Sequence, residues 1–136
     1  MHAEVISVGT EILLGQITDT NSTFISQRLA ELGIDVYFKT VVGDNEKRLF
    51  QALEIASGRS DMVILSGGLG PTKDDITKQT VAKFLNCGLL TDKDALEYIE
   101  EYYRQNNRKM TDNNLLQAKY LEGSVSLPNE SGMAVG

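Results

Sequence analysis

Apolar positions along the chain fall into alternating short runs and helical stripes. Ala3-Glu-Val-Ile-Ser-Val8 reads as a strand closed by Gly9, and Thr10–Leu14 fits either a loop or a short turn of helix. From about Asn21 the spacing predicts a helix that places Phe24, Ile25, Leu29 and Leu32 on one face. Thr20 or Asn21 would cap it and Gly33 would stop it. Ile34 to Val42 is β-branched and aromatic and predicts a second strand. Gly43-Asp44-Asn45 then breaks the chain and caps a helix with the stripe Leu49, Phe50, Leu53 and Ala56, ended by Gly58.

Met62-Val-Ile-Leu65 is apolar throughout, which predicts a central parallel strand covered on both faces. A glycine-rich loop follows, then a helix from about Asp75 to Leu85 with Ile76, Val81, Phe84 and Leu85 inward. Thr91-Asp-Lys-Asp94 opens another helix with Ala95, Leu96, Ile99, Tyr102 and Tyr103 facing in, and Thr111–Asn114 opens a short one through Leu115, Leu116 and Ala118. Val125–Leu127 is expected as a last strand. The β-α-β-α-β-α alternation predicts an α/β fold, an open and mostly parallel sheet with helices on both faces. The expectation is one domain over residues 1–136. It breaks off in a loop-like Ser131–Gly136, so it is expected to be truncated at its C-terminus.

Composition narrows the chemistry. A net charge of −6 with no Lys/Arg run longer than two excludes a basic nucleic-acid footprint. Cys87, the single cysteine, sits among Leu85, Gly88 and Leu89 as an expected half-buried thiol; it excludes an internal disulfide and fits a reducing, cytoplasmic setting. No run approaches a membrane span. The one histidine, His2, lies at the terminus, which removes Ser-His-Asp, Cys-His and His-zinc schemes. Catalysis would fall to carboxylates, Lys, hydroxyls, backbone dipoles and a hard metal.

The candidate working surface is Ser66-Gly67-Gly68-Leu69-Gly70-Pro71-Thr72-Lys73-Asp74-Asp75. A strand that runs through glycines into a helix is where open α/β sheets place ligands, and the helix start suits phosphate. A tight, empty β–α turn is the plainer alternative. Neither familiar phosphate loop fits. A Walker motif begun at Gly67 meets Thr72 and Asp74 at its sixth and eighth places, and a dinucleotide fingerprint begun at Gly68 meets Lys73 at its last. Two acids beside a phosphate repel it unless a cation intervenes, which argues for Mg²⁺ or a similar divalent ion; plain helix capping by Asp74 or Asp75 is the competing account. Gly9, Thr10 and Glu11 after the first strand, and Asp44 after the second, should share the same sheet edge.

Gly9-Thr10-Glu11-Ile12-Leu13-Leu14-Gly15-Gln16, Asp19-Thr20-Asn21, Val41–Asp44, Gly67–Thr77, Met110–Asn114 and Leu127-Pro128-Asn129 together resemble the N-terminal domain of the competence/damage-inducible CinA family. That domain's fold is shared with molybdopterin-binding proteins of molybdenum cofactor biosynthesis. The resemblance implies a three-layer α/β/α domain and a metal-dependent pyrophosphatase acting on ADP-ribose or a related nucleoside diphosphate compound. It also implies a nucleotide or pterin-like ligand along the glycine loop. Carried onto this chain, Asp75, Asp44 and Lys73 become the catalytic candidates and Asp75, Asp74 and Asp44 the metal candidates. Gly9, Thr10, Glu11, Gly67, Gly68, Gly70, Thr72, Thr77 and Asn129 become the ligand contacts. Where the family usually has a second proline and a Gly-Thr-Ala run, this chain has Glu130–Ala134. The family's later strands and its amidohydrolase domain have no counterpart, so no deamidase activity is expected. The alternative is a binding module that holds a pterin or nucleotide uncleaved, and a scaffold is a third. Expected partners are a small nucleotide or pterin and further copies of the chain as a homo-oligomer, with neither nucleic acid nor membrane.

Overall fold

The computed structural model describes residues 1–136 and resolves them into two compact units, Met1–Gly68 and Leu69–Gly136. In the first, β1 (His2–Val8), α1 (Thr10–Leu13), α2 (Thr20–Glu31), β2 (Asp35–Val42), α3 (Glu46–Arg59) and β3 (Met62–Ser66) form a three-stranded parallel sheet of order β2-β1-β3. The middle strand is therefore β1. All of it beyond His2 is buried, whereas β3, expected to be fully covered, is half-buried throughout. The apolar run at 62–65 signalled a parallel strand correctly but not its place in the sheet.

Alternation along β1 sends side chains to opposite faces. Ala3 and Val5 meet Leu29 of α2, joined by Ile25, Val36 and Ile64. Glu4 points the other way, to Arg59 at the end of α3 and to Thr40 of β2. Helices thus cover both faces of the sheet. The buried Glu4 accepts bonds from Arg59 Nε and Nη2, both at 2.8 Å, and from Thr40 Oγ1 at 2.6 Å. The Arg59 contact, aided by Thr40, holds its carboxyl below the usual range against the opposing pull of burial. Arg59 in turn stacks 3.6 Å over the Phe38 ring. Asp19, one residue earlier than expected, caps α2 through Ser22 N at 3.0 Å. Gly33 lies just past the helix end with φ +72°, as a C′ glycine should. Phe24 and Leu32, expected inward, are 57% and 73% exposed, because only the Ile25–Leu29 side of α2 meets the sheet. Gly58 does not stop α3, which runs on to Arg59.

The second unit contains α4 (Thr77–Leu85), β4 (Leu89–Thr91), α5 (Lys93–Gln105), a 3-10 helix (Asp112–Ala118) and β5 (Lys119–Leu121). β4 and β5 pair antiparallel, and neither was expected. Val125–Leu127 is not a strand. Helix α4 begins two residues later than predicted, and Leu85 at its end faces solvent, as Tyr102 partly does in α5. Asn86 then stops α4 in the left-handed region, and Cys87 is half-buried. Asp92 caps α5, and Thr111 with Asn114 forms a full capping box on the 3-10 helix. No helix is long and apolar enough to cross a membrane.

Candidate functional site

The edge formed by the C-terminal ends of β1 and β2 is tied by backbone and side-chain bonds. Gly9 N donates to Val42 O at 2.9 Å. Thr10 N donates to Asp44 Oδ2 at 3.1 Å, and Asp44 N returns a bond to Thr10 Oγ1 at 3.0 Å. This reciprocal pair locks the two loops and commits Asp44 to positioning Thr10. Glu11 folds back over Gly9, where an added Cβ would stand 2.7 Å from its Oε1. At Gly67, with φ +99°, a Cβ would lie 2.2 Å from Val8 O, so the close approach this glycine allows is between two strand ends. Gly68 shares the left-handed conformation with φ +67°.

Ser7 and Asp19 carried no sequence signal as a pair, yet Ser7 Oγ donates to Asp19 Oδ2 and pins the start of α2 to the end of β1. Burial pushes the Asp19 carboxyl up, but the bonds from Ser7 and Ser22 together outweigh it and leave it below its ordinary value.

In the second unit, the glycine loop closes on itself. Asp75 Oδ2 accepts Thr72 N at 2.9 Å and Thr72 Oγ1 at 2.8 Å, and Asp75 N donates to Thr72 O at 3.2 Å. A Cβ at Gly70 would meet that carboxylate at 2.6 Å, so Gly70 is the cradle in which Asp75 sits. Lys73 and Asp74 occupy the exposed tip of this turn. Asp75 therefore caps the turn rather than the helix, and α4 starts behind Ile76 with no side-chain cap. The positive end of the α4 dipole lies just behind this turn. Thr77 is buried at the head of that helix.

Asn129 spends its side chain on its own loop, donating to Ala134 O at 3.0 Å and accepting Ser131 N at 3.0 Å. The unit also hides a group that sequence reasoning missed. Lys78, 7% exposed, directs Nζ to Gln117 O at 3.3 Å. Burial pulls its amine down to about 8. Its only signal is its place four residues before the buried Ala82, one turn away on the same helix face. No group of three or more His, Cys, Asp or Glu side chains is assembled to hold a metal ion, so a metal reading rests on the adjacent acids Asp74 and Asp75.

The family described as "Probable molybdopterin binding domain" matches residues 4–136. The chain belongs to that family. Its CinA branch is shown by the CinA protein of unknown function from Thermoplasma acidophilum, whose crystal structure superposes with a TM-score of 0.86. That likeness has 37% identity and covers 99% of this chain and 79% of the other. A competence-damage inducible protein of Lactiplantibacillus plantarum is 60% identical over all of this chain, which makes up 32% of that relative. The chain thus spans about a third of the length of the curated relatives it matches. The tungsten cofactor synthesizing protein MoaB of Pyrococcus furiosus shares the fold, with a TM-score of 0.58 and 22% identity over 76% of this chain and 63% of its own. In this CinA-type domain, the molybdopterin-binding-like α/β architecture expected from the motifs is the one observed.

Proposed function

We propose that the domain binds the pyrophosphate of a nucleotide-like compound at the Leu69–Asp75 turn and cleaves its anhydride with water, ADP-ribose being the test substrate. The observation that carries this reading is the Thr72–Asp75 clasp. It orders the turn without ligand and sets Lys73 and Asp74 at its tip, ahead of a helix whose N-terminus lacks a side-chain cap. Lys73 would neutralise charge on the departing phosphate. The turn N–H groups and the α4 dipole would orient the phosphates.

The donor set fits a hard divalent ion such as Mg²⁺, because two adjacent carboxylates otherwise repel a phosphate; Asp74, with Asp75, would hold it. When bound, the ion neutralises anhydride oxygens and acidifies a water. Within the first unit, Asp44 is held in the reciprocal pair with Thr10. A cytoplasmic location and a homo-oligomer belong to the same reading.

Product analysis of ADP-ribose incubated with the protein and Mg²⁺ should give AMP and ribose phosphate, and Asp74→Asn should lose most of that rate with the fold intact. Turnover undiminished by metal removal or by Asp74→Asn would defeat the proposal. A second reading, a module that holds its ligand uncleaved, is supported by the family's own description as molybdopterin-binding. It is favoured if ADP-ribose binds the folded protein and no product forms.

A further inference from the structure

Helix α4 buries a cation at the end where a cation is least stable. Lys78 is the second residue of α4 and is almost fully covered. Its Nζ rests on Gln117 O at 3.3 Å, a carbonyl that also receives Val135 N at 3.0 Å. No carboxylate is paired with it, and burial alone moves its amine from the ordinary range. The charged and titrating groups of the surrounding elements are exposed or engaged elsewhere. On the turn before α4, Lys73 and Asp74 are exposed and Asp75 closes on Thr72. On the 3-10 helix Asp112 is exposed, and on β5 Lys119 directs Nζ to Thr91 Oγ1 at 2.6 Å while Tyr120 lines a hollow with Thr91 and Lys93. The Tyr103 hydroxyl of α5 accepts Asn114 Nδ2 at 2.8 Å, and Lys83 lies five residues further along α4, on another helix face.

Two separate effects oppose this charge. Burial removes its hydration, and a helix N-terminus carries positive partial charge that repels a cation in the first turn. Lysine is readily accommodated in the last turn of a helix, or at its surface, at neither penalty. A buried group that breaks local rules without a partner marks a place where stability has been given up for another role. Both penalties change sign once an anion sits at the helix end, because the ammonium and the dipole then attract it together. Helix Cα–Cβ bonds tilt towards the N-terminus, and the second residue stands within one turn, ~5 Å of rise, of that end. At an effective dielectric of about 20, two opposite unit charges about 12 Å apart already change an affinity about tenfold.

We propose that Lys78 is a positioning residue that strengthens anion binding at the α4 N-terminus from inside the fold, without touching the ligand. This assignment rests on the phosphate site proposed above at the Leu69–Asp75 turn. It separates two lysines by mechanism: Lys73 acts from the exposed tip and is screened by salt, whereas Lys78 acts from the interior and is screened little.

Calorimetric titration of the intact chain with sulfate, a dianion that does not titrate near neutral pH, tests this at constant ionic strength. At pH 7 Lys78→Met should bind sulfate about tenfold more weakly than the parent, although urea unfolding finds the variant no less stable. The parent's affinity should fall as pH rises from about 8, where the buried amine loses its proton, and meet that of the variant by pH 10. The parent at pH 10 thus reproduces the loss with no substitution at all. Raising the salt should shrink the deficit of Lys73→Ala more than that of Lys78→Met. Sulfate binding that is equal in parent and Lys78→Met at pH 7, or a pH profile shared by both, would overturn the role of Lys78 and leave the phosphate site standing. No sulfate binding by the folded parent at pH 7 would remove the phosphate site and this assignment with it.

Discussion

Replacing Lys78 by methionine should stabilise the protein at neutral pH, and the gain should disappear in alkali. The amine is buried and its value falls from the ordinary 10.5 to about 8. At about 1.4 kcal/mol per tenfold, that gap amounts to a charging cost of about 3 kcal/mol. Methionine keeps the length and apolar volume of the side chain. It loses the bond to Gln117 O, worth about 1 kcal/mol, but that carbonyl retains Val135 N at 3.0 Å and is not orphaned. The net gain is about 2 kcal/mol at pH 7. The sign follows from proton counting. Below pH 8 both folded and unfolded chains hold the proton and the full cost applies; between about 8 and 10.5 the unfolded chain binds more protons, so stability rises with pH; above 10.5 the cost is gone. Urea unfolding of parent and variant at pH 7, 8, 9 and 10 isolates this group, since every other titrating side chain is common to both. Parallel pH profiles, or a variant less stable than the parent at pH 7, would show that Lys78 is not buried as a costly cation.

Gly67→Ala should cost about 3 kcal/mol or more by denaturant titration, because its left-handed backbone and the Val8 carbonyl both oppose a side chain. Gly123→Ala, also at positive φ but in open space, should cost only about 1 kcal/mol, and equal losses would refute the contact argument. Glu4→Gln should destabilise the protein at pH 7 by an amount that shrinks as pH falls below the ordinary carboxylate range. The lowered carboxyl stabilises the fold above its unfolded value and loses that contribution as pH drops through its folded one. A gap between parent and variant that is the same at pH 3 and pH 7 would contradict this. Lys73→Ala should weaken binding of inorganic pyrophosphate about tenfold at low salt and less at high salt, read by calorimetry; no change would remove Lys73 from the phosphate site.

The elements with strong periodicity were legible. The strand from Ala3, the helices at Leu49–Ala56 and Ala95–Ile99, and the parallel crossover arrangement all follow from spacing, caps and glycine stops. β4 and β5 were not, because three residues each such as Leu89-Leu90-Thr91 show no period and are strands only through pairing with each other. Phe24 and Leu32 match the helical stripe as well as Leu29 does, and only the sheet's position decides which of them is covered. At the site, the acids and glycines stood out in the sequence but their roles did not. The sequence suggests Asp75 as a helix cap or metal ligand, and only folded geometry shows it closing on Thr72 in the space Gly70 leaves. Lys78 was illegible for a similar reason, since a lysine in a helix reads as solvated until a carbonyl is found over it.

The most direct test of the central claim is a phosphorus NMR time course of ADP-ribose with the parent protein, with and without Mg²⁺, beside Asp74→Asn. The account predicts that the coupled anhydride signals give way to monophosphate signals only with parent protein and metal together. Anhydride signals that persist while ADP-ribose is shown to be bound would contradict cleavage, and conversion at the same rate by Asp74→Asn would contradict the site.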